Sequence, residues 1–211
     1  LPDGNTLVII TADHGEAFFE HGQYGHASSL FDDELRIPLI IVPPRSGAFS
    51  NAVATESVCN LDLYPTILDL TGVRCQAPVE GRSLRGLLDG RGMESRPLYA
   101  ELNRAADMTS IRSDGWKLIN DKVAGTDMLF DTGRDPGERA NLLAARPDVA
   151  DRLRKELSAW ETARKPFAAP RGNVNMTPAQ RKILESLGYV AGGSTNAAGG
   201  GAPDPRPPPS P

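Results

Sequence analysis

The amino-acid sequence predicts an α/β protein in which two buried strands and a helix precede a small antiparallel sheet packed by a second helix. Two runs of β-branched and apolar residues, at 6–11 and 37–42, have the composition of buried strands. Apolar residues at helical spacing follow the second run. After Arg96 the pattern changes to four short strand-like pieces, which is typical of an antiparallel sheet.

The strand at 6–11 opens the first half of the chain and leads into a loop, rich in glycine, histidine and acid, from Asp13 to Ser29. Residues 31–36 are expected to form a helical turn before the second strand at 37–42. Pro38 has no backbone donor, so it suits only the start or the edge of that strand.

A helix over residues 61–71 is predicted after the second strand. Asn60 or Asp62 can cap its first turn, and Gly72 closes it. A short helix is expected near 84–88.

The second half begins with the four strand-like pieces, and Ser113–Gly115 between two of them is a hairpin turn signal. Pro147 opens a helix to about Ala163 whose apolar stripe should pack on the small sheet. A capping box at Thr177–Gln180 starts a last helix that ends at Leu187. The pieces of the sheet are Leu98–Glu101, Thr109–Arg112, Trp116–Ile119 and Met128–Asp131, and the stripe is Val149, Leu153, Leu157 and Trp160.

Composition excludes several classes of protein. The chain has 211 residues and a formal net charge of −4, and its basic residues are scattered, which argues against nucleic-acid and anionic-membrane binding. No segment approaches the ~18 apolar residues of a membrane span. From residue 191 only small residues, proline, one aspartate and one arginine occur, so this tail is expected to be disordered.

Two further features leave alternatives open. Cys59 and Cys75 can form a disulfide or stand as two free thiols, and neither has a histidine near it in sequence that would suit a nucleophile. Because a strand begins close to Leu1, we expect the chain to be part of a longer domain whose other strands pair with this one. An edge strand is the alternative.

All three histidines lie within the first 26 residues, around the segment Asp13–Glu16 that follows the first strand. Ligands bind at this edge of open α/β sheets. A carboxylate and an imidazole can share a divalent cation, and Gly15 permits the turn that lets Asp13 and His14 converge. Two ligands fall short of four to six, so others must come from elsewhere. The alternative is an ordinary loop, with Asp13 as a helix cap and His14 in solvent.

The other polar residues of this region have weaker signals. His26 lies 12 residues after His14, and it can protonate a leaving group or bind an anionic oxygen, or simply lie on the surface. His21 is interpreted as a residue that orders the loop. The acids at 32–34 are interpreted as the first turn of a helix rather than as metal ligands.

Four ordered blocks resemble the C-terminal half of the sulfatases, in the alkaline phosphatase superfamily. Together the blocks cover about 5–190, and their order makes the resemblance specific. The first block holds Thr6–Glu16, Glu20–Gly22, Tyr24–His26 and Asp33–Ile40; the second holds Asn60–Leu68 and Gly81–Leu84; the third holds Ile111–Arg112, Trp116–Ile119, Leu129–Asp131, Asp135–Glu138 and Asn141–Leu142; the fourth is Leu187–Val190.

The resemblance implies an α/β fold with part of an alkaline-phosphatase-like mixed sheet flanked by helices, and with a small C-terminal antiparallel sheet packed by a helix. It assigns 1–95 to the C-terminal part of the catalytic α/β domain, 96–165 to the small sheet and its helix, and 166–190 to a helical extension before the tail at 191–211. The implied reaction is hydrolysis of a sulfate ester at a metal-bound formylglycine, which is made from a Cys-x-Pro/Ala-x-Arg motif.

That motif is expected to lie outside this chain. The segment Cys75–Val79 comes nearest, but it has valine where arginine is required. The nucleophile and two further metal aspartates are therefore expected in an N-terminal half of the same polypeptide, and this fragment alone is expected to be inactive.

By resemblance, Asp13 and His14 bind one divalent metal ion, and His26 contacts the sulfate group and assists the leaving oxygen. The family implies Ca²⁺, whereas His14, where many sulfatases place asparagine, suits softer ions such as Mn²⁺ or Zn²⁺. The partner is then a small-molecule or glycan sulfate ester, and the family favours a periplasmic or secreted protein.

Three rival functions stay open. The first is a phosphonate monoester or phosphodiester hydrolase of the superfamily, since such enzymes also have histidine where many sulfatases have asparagine, the position of His14. A non-catalytic, degenerate interaction module is a rival from another class. A phosphotransferase with a threonine nucleophile fits the C-terminal blocks poorly.

Overall fold

The structure is a computed structural model that describes residues 4–44, 49, 53–74, 78–103, 106–164 and 177–186. The chain divides after Lys165 into two compact units. The first unit carries β1 (Val8–Thr11), β2 (Ala17–Phe18), β3 (Tyr24–Gly25), α1 (Asp32–Leu35), β4 (Leu39–Val42), a 3-10 turn (Asn60–Asp62), α2 (Leu63–Thr71), α3 (Arg85–Leu88), β5 (Leu98–Asn103), β6 (Asp107–Ser113), β7 (Trp116–Asp121), β8 (Thr126–Asp131) and α4 (Pro147–Ala163); the second carries α5 (Pro178–Ser186).

The small sheet is a four-stranded antiparallel meander in the order β5-β6-β7-β8, as predicted. Asp114 and Gly115 both have positive φ, 52° and 78°, which is the backbone of a tight hairpin turn. One face of the sheet packs on α4, whose predicted bounds and apolar stripe are confirmed. The core between them contains Ile111, Leu118, Leu129, Val149, Ala150, Leu153 and Leu157.

The opposite face of the sheet supports the segment that follows His26. Ile119 and Phe130 point away from α4, because neighbouring residues of a strand alternate between faces. They form a second buried cluster with Leu30, and Phe31 packs edge-on against Phe130 with ring centroids 5.8 Å apart. The small sheet therefore packs on α4 with one face and on the segment that follows His26 with the other.

The two strands predicted as buried, β1 and β4, pair antiparallel with each other, and Ile10 lies opposite Ile40. The prediction that they are buried is wrong for the described residues, since Ile10 and Ile40 are each 53% exposed. β-Branched residues indicate a strand, but they do not indicate what covers it. Pro38 lies directly before β4, which agrees with its predicted place at a strand start.

Asp62 stands before α2, but its carboxylate makes no cap hydrogen bond to that helix. The buried carboxylate accepts hydrogen bonds from the backbone N–H groups of Cys59 (2.9 Å) and Arg82 (2.8 Å) and pairs with Arg96. Asp62 therefore joins three separate segments, which a sequence reading of caps does not detect. Gly72 closes α2 with φ 71°, as predicted.

The remaining predictions are settled in part. Cys59 is a free thiol, and burial raises its pKa, which fits a structural role. Thr177 and Gln180 form the predicted capping box of α5. Cys75, the end of the last helix at Leu187 and the tail from 191 lie outside the described residues. Among the described helices none is long and apolar enough to cross a bilayer.

Candidate active site

A short hairpin brings the histidines together inside the segment predicted as a loop. β2 pairs with β3 so that Ala17 lies opposite Gly25 and Phe18 opposite Tyr24. The next pair in this register is Glu16 and His26, and His26 Nδ1 lies 3.0 Å from Glu16 Oε2. Because a carboxylate only accepts, Nδ1 carries the proton and Nε2 is the nitrogen left for other contacts.

Gly15, which precedes Glu16, lies where two backbone segments approach each other closely. Gly15 N–H donates a 2.7 Å hydrogen bond to the carbonyl oxygen of Glu34. A Cβ atom on Gly15 would overlap the carbonyl of Asp33. Glycine is therefore required here for lack of a side chain, rather than for freedom in its dihedral angles.

Glu34 also holds the segment on the far side of His26. Its side chain is buried and accepts hydrogen bonds from Ser28 N–H (3.1 Å), Ser28 Oγ (2.8 Å) and Ser29 Oγ (2.7 Å). Glu34 thus binds the chain both before and after the hairpin. The sequence reading as an acidic first turn gives its position in α1 but misses this role.

A buried charge network fixes α1 to the small sheet. Lys117 Nζ lies 2.8 Å from Asp32 Oδ1 and 2.8 Å from Glu138 Oε1, the second as an ion pair without hydrogen-bond alignment. Arg112 pairs with Asp32, and Asp32 N–H donates to Glu138 Oε2 at 2.7 Å. Burial would raise the pKa of Asp32, but Lys117 and Arg112 hold it below its ordinary value. Burial raises the pKa of Glu138 despite Lys117.

His14 stacks against His26 with ring centroids 4.2 Å apart. His14 Nδ1 is 2.7 Å from the carbonyl oxygen of Gly15, so Nδ1 carries a proton and Nε2 faces elsewhere. His14 Nε2 lies 3.7 Å from Asp13 Oδ2. If an ion lay about 2.1 Å from both atoms, the angle between the two bonds at the ion would be roughly 120°, which is within the range found in metal sites.

The structure therefore brings together His14 and His26, with Asp13 beside them, and the predicted roles of these residues stay predictions. The Asp13 side chain is 73% exposed and can meet ligands from other segments. His21 stacks on Phe31 at 3.7 Å between ring centroids, which agrees with a role in ordering the loop.

Glu16 is the residue of the site that sequence reasoning missed. Ligand atoms of His14, Glu16 and His26 all lie within 4.8 Å of one another. The signal was present in the sequence as a glycine-containing turn between short apolar segments, but strands of two residues are too short to show a period.

Comparison with known proteins identifies the family. A family model described as N-sulphoglucosamine sulphohydrolase, C-terminal, matches residues 19–163. Arylsulfatase K of Danio rerio is 32% identical over 162 residues, which cover 72% of this chain and 30% of that protein. The protein of the same name from Mus musculus is 28% identical over 165 residues, covering 72% and 29%. The chain thus spans less than a third of these relatives.

Solved structures agree with this assignment and confirm the α/β fold. One, in complex with its substrate D-glucosamine-2-N,6-O-disulfate, has 26% identity and a TM-score of 0.65 over 75% of this chain and 34% of its own. A 2-O GAG sulfatase has 25% identity and a TM-score of 0.66, over 77% and 37%. A phosphonate monoester hydrolase from Silicibacter pomeroyi has 25% identity and a TM-score of 0.64, over 75% and 35%. The chain therefore belongs to the sulfatase family and carries the C-terminal region of that family.

Proposed function

We propose that this chain supplies one side of the active site of a sulfatase that hydrolyses sulfate esters, with a formylglycine nucleophile on a segment outside it. The observation that carries the proposal is the placement of His26 against His14, with rings 4.2 Å apart and Asp13 at the same end of β1. A candidate proton donor and two candidate metal ligands thus meet in a member of the sulfatase family.

Asp13 and His14 are the proposed ligands of one divalent cation. The 3.7 Å between Asp13 Oδ2 and His14 Nε2 suits a shared ion, and the Gly15 carbonyl holds the imidazole in the tautomer whose Nε2 has a free lone pair. A bound cation supplies Lewis-acid stabilisation of the negative charge on the ester and the nucleophile. The oxygen-rich ligation of the family favours Ca²⁺, whereas the imidazole of His14 admits Mn²⁺ or another softer ion.

His26 is proposed to contact the anionic ester and to give a proton to its leaving oxygen. Glu16 Oε2 accepts a hydrogen bond from His26 Nδ1 across the hairpin at 3.0 Å, and this contact directs Nε2 away from Glu16. A positioned general acid typically contributes about 10²–10⁴ to a rate.

A sulfated glycan is the proposed class of substrate. The substrate bound in one solved relative is a disulfated glucosamine, and another relative is named a 2-O GAG sulfatase. A periplasmic or secreted location is proposed with this substrate, because membership of the sulfatase family favours it.

The test is hydrolysis of an aryl sulfate by the full polypeptide that carries this chain together with a formylglycine segment. His26→Ala is expected to lower kcat by about 10²-fold or more, and Asp13→Asn and His14→Ala to abolish turnover. His21→Ala is the matched control, because His21 stacks on Phe31 instead of on His14. Full turnover by His26→Ala would overturn the proposed role of His26, and full turnover by Asp13→Asn would overturn the metal site.

A phosphonate monoester or phosphodiester hydrolase is the second candidate function. Two observations favour it: the imidazole of His14, which suits ions softer than Ca²⁺, and the solved phosphonate monoester hydrolase at a TM-score of 0.64. Comparing kcat/KM for an aryl sulfate and for an aryl phosphonate monoester decides between them. Preference for the sulfate supports the first proposal, and preference for the phosphonate supports the second.

A further inference from the structure

We infer that His14, Glu16 and His26 form a zinc site that is distinct in composition from the Asp13–His14 pair. The three side chains offer ligand atoms that all lie within 4.8 Å of one another. Two imidazoles and one carboxylate are a donor set that Zn²⁺ uses with three protein ligands and one open position.

The geometry needs only a small adjustment to close around an ion. Ligand atoms of one zinc ion lie roughly 3.4 Å apart, given bonds of about 2.1 Å in a tetrahedral arrangement. His26 Nδ1 and Glu16 Oε2 are already closer than this, at 3.0 Å, and zinc would replace the proton that Nδ1 now donates to Glu16. The other ligand atoms of the three residues are at most 4.8 Å apart. Rotation of these partly exposed side chains can shorten that separation by about an ångström or more.

The surroundings hold the three residues ready for such an ion. The β2–β3 register fixes Glu16 opposite His26. Gly25 has φ 93°, a backbone conformation that favours glycine, and so it maintains the hairpin beside Glu16. The Gly15 carbonyl orients His14 through Nδ1, which is the usual way in which a zinc-bound imidazole is fixed.

Zinc at this site has a consequence for the proposed hydrolase, and this consequence rests on the proposed function. The ion would take His14 from the Asp13 side and would occupy His26, the proposed proton donor. Zn²⁺ is therefore expected to inhibit turnover, and zinc binding itself does not require the chain to be an enzyme.

The test is calorimetric titration of the 211-residue chain with Zn²⁺ alone. One zinc ion per chain is expected, and Glu16→Gln and His26→Ala are each expected to weaken binding by at least about tenfold. Asp13→Asn and His21→Ala are expected to keep the wild-type affinity. Ca²⁺ is expected not to displace the zinc, because calcium prefers oxygen ligands.

A second measurement protects the test from variants that fail to fold. Imidazole ¹⁵N chemical shifts of the wild-type chain are expected to change on zinc addition at His14 and His26 and to stay constant at His21. Zinc binding that is lost in Asp13→Asn but kept in Glu16→Gln would overturn this inference and leave the proposed metal pair intact. No zinc-dependent shift at His26 would also overturn it, and neither result bears on sulfate ester hydrolysis.

Discussion

Replacing Lys117 with methionine is expected to lower the free energy of unfolding by about 3–5 kcal/mol. Methionine fills a similar volume, but it removes the ammonium group that lies 2.8 Å from both Asp32 and Glu138. The Lys117 and Glu138 side chains are 2% and 1% exposed, so water does not replace the lost cation. Asp32 keeps Arg112, whereas for Glu138 the same guanidinium is 4.0 Å away.

The loss of stability in Lys117→Met is also expected to depend on pH, and the pKa of Glu138 determines the direction of that dependence. Burial raises the pKa of Glu138 and Lys117 opposes it, so removal of Lys117 raises that pKa further. An acid whose folded-state pKa exceeds its unfolded value keeps its proton longer in the native state, and stability falls as pH rises through that range. Lys117→Met should therefore be less damaging near about pH 5 than near about pH 8.

Urea unfolding followed by tryptophan fluorescence measures both effects. Lys122→Met is the matched control, since Lys122 is 36% exposed and pairs with Glu161 at 3.0 Å; it is expected to cost about 0–1 kcal/mol. Adding Glu138→Gln to Lys117→Met removes the uncompensated carboxylate and should restore more than about 1 kcal/mol. If Lys117→Met were no more destabilising than Lys122→Met, the network would not be what fixes α1 to the sheet.

Two further predictions concern the backbone around the site and the acid limit of stability. Gly15→Ala pushes a Cβ into the carbonyl of Asp33 and should lower the free energy of unfolding by about 1–3 kcal/mol, measured by thermal unfolding. Gly133→Ala is the control and should be near neutral, because its Cβ meets a side-chain oxygen at 3.4 Å. Equal melting temperatures for the two variants would contradict the close approach at Gly15. Burial would raise the pKa of Asp62, but backbone N–H groups and Arg96 hold it below its ordinary value. The stabilising contribution of Asp62 is therefore present above the ordinary aspartate pKa and is lost as pH falls through the lowered one. Asp62→Asn should lose less stability than wild type between about pH 5 and pH 2, and an unchanged acid profile would argue against this role.

The small sheet and α4 were predictable because their signals are local. Four short strands, a tight turn at Asp114 and a stripe along Pro147–Ala163 each follow from neighbouring residues. The exposure of Ile10 and Ile40 was not predictable in this way, since a run of β-branched residues looks the same whether or not another layer covers it.

The residues of the candidate site could be chosen from the sequence, and their roles stay predictions, but their contacts could not be predicted. Asp13, His14 and His26 stand out by type and by the resemblance to sulfatases. The contact of His26 with Glu16 depends on the register of a hairpin with two-residue strands, and the role of Glu34 depends on a fold that returns α1 to both flanks of that hairpin. Such contacts join residues through tertiary structure, so no local pattern reports them.

The metal content of the full polypeptide tests the central claim most directly. After dialysis in zinc-free buffer containing calcium and manganese, elemental analysis should find one divalent ion per wild-type or His21→Ala polypeptide. Asp13→Asn and His14→Ala should each lose that ion while keeping the native circular dichroism spectrum. A full equivalent of metal retained in both folded variants would contradict the claim that Asp13 and His14 share a catalytic ion at the end of β1.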